Sequence, residues 1–102
     1  MRNKLNRRPT HPGELLREET LPNARLSQSE LASRLGVSRS MVSELIHERR
    51  TVSPDLACRL ARVFDTTPEF WLRLQETVDV WTTLQANGDQ YDRLKPLRKS
   101  TV

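Results

Sequence analysis

Five polar side chains, Arg39, Ser40, Ser43, Glu44 and His47, follow Ser38 at positions that an apolar-periodic helix would leave facing outward. They offer a forked cation, two hydroxyls, a carboxylate and an imidazole, which is a hydrogen-bonding set rather than a catalytic one. His11 and His47 are too far apart in sequence to count as a pair, and neither an HExxH motif nor a nucleophile elbow occurs. "HPGE" reads more simply as a helix start than as metal ligands. Cys58 has no second cysteine for a disulfide or a zinc site. Its place among Leu56, Ala57, Leu60 and Ala61 predicts a small buried hydrophobe. No enzyme activity, metal or cofactor is expected.

Those outward residues need a scaffold, and the stretch "SQSELASRLGVSRSMVSELI" supplies one. Ser27 with Glu30 three residues on is a capping box, so a helix starts there. Leu31, Ala32 and Leu35 share a face, Gly36 can take the positive φ of a helix stop, and Val37 plugs the turn. Ser38 caps the second helix, whose inward face is Val42, Leu45 and Ile46, with Met41 near its edge. Two helices joined by so short a glycine-containing turn form a helix-turn-helix, in which the first braces the second for entry into the DNA major groove.

The flanks read as three more helices. "HPGELLREETL" has a proline and early acids where the helix dipole favours them, and Pro22 is expected to end that helix. "SPDL" opens a fourth helix with Ser53 as cap, and "TTPEF" a fifth that should run to about Ala86 before Asn87 and Gly88 stop it. The fold is expected to be all-α, a five-helix bundle. A basic flexible arm at 1–10 precedes a domain at 11–86, in which the helix-turn-helix spans 27–47 and the last helix about 68–86. A basic flexible tail follows at 87–102.

The chain has 102 residues and a net charge of +4, a balance that permits a nucleic-acid partner. The positive charge sits in the arm, the helix-turn-helix and the tail, while the first helix and the last two are acidic on balance. No apolar run approaches a bilayer span and the basic start lacks the apolar core of a signal peptide, so no membrane partner and a cytoplasmic location are expected. The last helix has more apolar residues than one buried stripe can use. Trp71, Leu74, Val78 and Trp81 recur at i, i+3, i+7 and i+10, a two-heptad seam suited to a homodimer.

"HPGELLREE", the helix-turn-helix through "RRTVSPDLACRLARVF", and "TTPEFWLRLQETVDVW" together resemble the phage-repressor or XRE family, and within it the HigA-type antitoxins of bacterial toxin–antitoxin modules. The resemblance covers roughly residues 11–81. It implies that Arg39 and Ser40, with Ser43 and Glu44 one turn later, face base edges of double-stranded operator DNA. Arginine suits guanine O6 and N7, and glutamate suits cytosine N4. Glu44 is the awkward member, since a carboxylate among phosphates needs a base donor or a cation such as Arg39 or Arg49. The resemblance implies a phosphate contact at Gln28. The amides at the start of the second helix, capped by Ser38, and the cations Arg49 and Arg50 are further phosphate candidates.

The same resemblance implies a second partner, a HigB-type RNase toxin that the antitoxin neutralises while repressing its own operon as a dimer. A free-standing XRE-type regulator without a toxin is the alternative. A third possibility is a packing scaffold that has lost DNA binding, which would lack the salt dependence of phosphate contacts.

Overall fold

The computed structural model describes residues 7–97, and within them the elements are all helical. Helix α1 occupies residues 12–24, α2 Gln28–Leu35, α3 Arg39–Ile46, α4 Pro54–Phe64 and α5 Pro68–Asp92. This is the expected all-α, five-helix architecture. The expectation of flexible ends rests partly on residues 1–6 and 98–102, which lie outside the described residues.

Each helix start is set by a side chain that satisfies an orphan backbone N–H. Ser27 and Glu30 form the reciprocal capping box, with Glu30 N–H donating to Ser27 Oγ at 3.1 Å and Ser27 N–H to Glu30 Oε1 at 3.0 Å. Ser38 accepts from Met41 N–H, Ser53 from Leu56 N–H and Thr67 from Phe70 N–H. Gly36 ends α2 at φ 72°, a conformation that costs a side-chain-bearing residue strain. The first helix is capped by His11, whose Nδ1 accepts from Gly13 N–H at 2.9 Å.

Three expectations need correction. Pro22 does not end α1, because residues Leu16–Thr20 widen into a π-helical turn in which Leu21 N–H reaches back to Leu16 O. That wider turn accommodates a ring that would strike the carbonyl four residues back in a regular α-helix. The helix stops at Arg25, φ 55°. Asn87 and Gly88 do not end α5, which continues to Asp92. Gly88 keeps a negative φ, and an interior glycine then lowers stability by roughly 1 kcal/mol without breaking the helix. The proposed boundary at 86 thus falls inside a helix. Cys58 is exposed. At 100° per residue it lies about 200° around the helix from Leu56, outside the arc of about 140° that Leu56, Leu60, Ala57 and Ala61 span.

The core gathers Leu16 and Leu21 of α1, Leu31, Ala32 and Leu35 of α2, Val42, Leu45 and Ile46 of α3, the α4 stripe, Val52 and Trp71. Val37 and Met41 pack against it half-buried, as the turn plug and edge residue they were expected to be. Helix α1 lies close on α3: a Cβ built on Gly13 would sit 1.9 Å from Leu45 O. Only a glycine permits that approach. Helix α4 packs chiefly on α5, whose buried side chains, Trp71, Gln75 and Val78, all lie in its first half.

Candidate nucleic-acid interface

The first turn of α3 leaves Arg39 and Ser40 exposed, and neither side chain has a hydrogen bond or ion pair among the described residues. Gln28, the first residue of α2, is exposed in the same way, and so is Arg49 after α3. Ser38 lends its oxygen lone pair to the helix cap and keeps its O–H for an outside acceptor. A free forked cation, two hydroxyls and an amide thus stand at the N-terminal ends of two adjacent helices, whose unpaired N–H groups favour anions.

One turn further along α3 the residues are engaged. Ser43 is half-buried beside His47, whose ring nitrogen Nδ1 lies 2.8 Å from Ser43 O and 3.4 Å from Ser43 Oγ. Glu44 pairs with Arg50, not with Arg39 or Arg49: Arg50 Nε and Nη2 donate to Glu44 Oε1 at 3.0 and 2.7 Å. Two members of the expected contact set therefore meet each other.

The exit from α3 is fixed by residues that helical periodicity did not single out. Arg17 of α1 donates through Nη1 to Ile46 O at 2.6 Å and through Nη2 to Glu48 Oε2 at 3.3 Å. Arg8 pairs with the other oxygen of Glu48. Glu48 itself sits at φ 62°. Burial pushes the Glu48 carboxyl up, but the hydrogen bond and charge of Arg8 and the hydrogen bond of Arg17 outweigh it and leave it below the usual glutamate value. Farther along, buried Gln75 of α5 accepts Val52 N–H at 2.9 Å and donates to Asp79 at 2.9 Å. Arg59 of α4 donates to Leu35 O at 2.8 Å, closing the end of α2. Apart from Gln75 to Asp79, one helical turn apart, these are long-range contacts, so no local pattern reveals them.

His11 is buried beneath this region. Burial holds its imidazole below the usual histidine value, against the pull of Glu48 in the other direction. The described residues contain no group of three histidine, cysteine or acidic side chains placed to hold a metal, and no helix among them is long and apolar enough to cross a membrane.

The expected apolar seam on α5 is divided. Trp71 is 1% exposed, its Nε1 donates to Thr66 Oγ1 at 2.8 Å, and Phe70 and Phe64 pack against its ring. Val78 is buried as well. Both are spent in the chain's own core, so the two-heptad seam is not a free face. Leu74 and Trp81 are half-buried, and Trp81 Nε1 is shielded from solvent with no hydrogen-bond partner among the described residues. The later part of α5 and the chain just after it form a groove lined by Val80, Leu84, Tyr91, Leu94 and Pro96.

The helix-turn-helix family matches residues 16–71. The chain is 44% identical over 77 residues to an uncharacterized HTH-type transcriptional regulator of Haemophilus influenzae, covering 76% of this chain and 72% of that protein. It is 38% identical over 94 residues to antitoxin HigA-1 of Vibrio cholerae, covering 92% and 89% of the two chains. Among solved structures, the antitoxin HigA of Pseudomonas aeruginosa with the higBA promoter superimposes with a TM-score of 0.84 at 42% identity, over 89% of this chain and all of that one.

Proposed function

From the premise that this chain belongs to the helix-turn-helix family, in its XRE-type and HigA-like form, we propose that it is a sequence-specific DNA-binding antitoxin. It binds double-stranded operator DNA as a homodimer, neutralises a HigB-type RNase toxin and represses its own operon in the cytoplasm. The observation that carries the DNA-binding reading is that Arg39 and Ser40 at the start of α3, and Gln28 at the start of α2, are exposed and have no side-chain hydrogen bond or ion pair among the described residues. Free donors at those sites have no intramolecular role to lose on binding. The named HigA relatives support the antitoxin part of the reading.

Arg39 reads a guanine through O6 and N7, Ser40 and Ser43 contact neighbouring edges, and Gln28, Ser38 and Arg49 hold phosphates. Two copies place their α3 helices in successive major grooves, about 34 Å apart, by pairing the later part of α5. Leu74, Trp81 and the Val80–Leu84 face are the residues left for that contact.

The test is footprinting on the chain's own promoter region, with and without the product of the adjacent reading frame co-purified. A protected inverted repeat and a stable complex with a small RNase support the whole reading. Protection without any co-purifying partner favours the free-standing regulator, a reading kept in view by the Haemophilus influenzae relative. Absence of protection overturns both.

A further inference from the structure

Glu44 stands on the recognition helix where a carboxylate would be repelled by DNA phosphates, yet it is not buried away: its side chain is 44% exposed, and that of Arg50 is 40% exposed. The pair has a specific geometry. Both Arg50 donors converge on Oε1, and Oε2 has no hydrogen bond among the described residues. An ionised carboxylate only accepts, so its free oxygen selects for a donor. In the major groove the donors are the amino groups cytosine N4 and adenine N6.

The main chain on either side of Arg50 is anchored, which narrows where its guanidinium can reach. The loop that carries it is pinned on both sides: Arg49 N–H donates to Glu44 O at 2.8 Å, and Val52 N–H to the buried Gln75 at 2.9 Å. Glu48, just upstream, is gripped by Arg8 and Arg17. The guanidinium therefore returns to the acid on α3 instead of projecting away from the protein.

We propose that Arg50 is a positioning counter-cation for Glu44, not a phosphate clamp, and that it lets the carboxylate on this base-facing turn accept a hydrogen bond from a base amino group. Arg50 cancels the charge that would keep Glu44 out of the groove, and by engaging Oε1 alone it leaves Oε2 open to a donor. The inference rests on the DNA-binding reading above and on the base-facing place that the family resemblance gives Glu44, and adds to them what Arg50 does.

The two roles of Arg50 give opposite results in a double-mutant cycle. The full chain, Glu44→Ala, Arg50→Ala and the double variant are titrated onto the footprinted promoter fragment and onto a panel with every base pair replaced singly, at several salt concentrations. Thermal melts check that each variant is folded. The proposal expects the unmodified chain to prefer a pair presenting an amino donor at one position per half-site by about 5- to 150-fold, and Glu44→Ala to lose that preference at that position alone. Arg50→Ala weakens binding to every sequence, and removing Glu44 in that background restores affinity, because no uncompensated carboxylate remains. The number of phosphate contacts read from the salt dependence stays the same.

Additive losses, a salt slope reduced by about one in Arg50→Ala, or an unchanged base preference in Glu44→Ala would each overturn the assignment. Those results leave operator binding by the unmodified chain intact. Failure of the unmodified chain to bind its promoter sinks the DNA-binding reading itself, and this inference with it.

Discussion

Arg17 Nη1 lies 2.6 Å from the carbonyl oxygen of Ile46, so the first helix of the chain closes the last turn of the helix proposed to enter DNA. A helix end leaves four carbonyls without partners, and an arginine near them both donates hydrogen bonds and meets the negative end of the dipole. Arg59 does the same for Leu35 at the end of α2. Each half of the helix-turn-helix is thus finished by an arginine from a different helix. Arg17→Ala is expected to lower the melting temperature and to weaken operator binding, since it frees Ile46 O and leaves Glu48 to Arg8 alone; equal melting curves for the two proteins would contradict it.

The contact between α1 and α3 gives a second prediction. A methyl group at residue 13 would meet Leu45 O at 1.9 Å, and the obstacle is backbone. Gly13→Ala should destabilise by about 1 to 3 kcal/mol, as overpacking does. For a domain of this size each kcal/mol lowers the melting temperature by roughly 4 to 8 °C, so a calorimetric scan decides it.

Acid should loosen the same region in two stages. The folded-state value of His11 is lowered from 6.5, so the neutral ring is favoured and its stabilisation is complete above 6.5 and lost as pH falls through the folded value. Protonation there removes the acceptor for Gly13 N–H. His11→Asn keeps a capping oxygen and should flatten this step. Glu48, lowered from 4.5, adds stability that is present above 4.5 and lost as pH falls through its own folded value. Glu48→Gln should remove that second step. Urea midpoints measured against pH check both, and an unaltered profile in either variant contradicts its assignment.

Arg39 and Arg49 should separate in binding assays. Arg39→Ala is expected to weaken operator binding by about 1 to 3 kcal/mol and to relax the choice of one base pair, while Arg49→Ala weakens all sequences alike and lessens the salt dependence. A gel-shift series that finds Arg39→Ala equal to the unmodified chain on the operator removes the recognition-helix assignment.

Along α5, two substitutions should fail in different ways. Trp71→Ala empties a fully buried site and should lower stability by about 3 to 5 kcal/mol. Val80→Asp with Leu84→Asp alters a face that the core does not use, so it should leave the melting of the fold intact and shift sedimentation toward the monomer. A folded dimer in that double variant would place the interface elsewhere.

What the sequence determined by itself was local. Ser27, Ser38, Ser53 and Thr67 cap their helices from within three residues, Gly36 stops α2, and the apolar periods of α2, α3 and α4 define their buried faces. These choices depend on neighbours along the chain, and so they can be read from it. The exposure of Arg39 and Ser40 follows from the same period.

The tertiary structure decided whatever depends on partners distant in sequence or on competition for them. Trp71 fitted a helical seam equally well as an outward or an inward residue, and only the core assembled from the other helices, Leu16 and Leu31 among them, made it an inward one. Pro22 had the chemistry of a stop, but a π-turn five residues long absorbed it. Arg50 and Glu44, six apart and across a turn, became partners because Gln75 of α5 and Arg17 of α1 hold the chain between and beyond them. Caps and periods act over one or two helical turns, whereas the placement of charges at the proposed DNA face is set by helices 20 to 30 residues away.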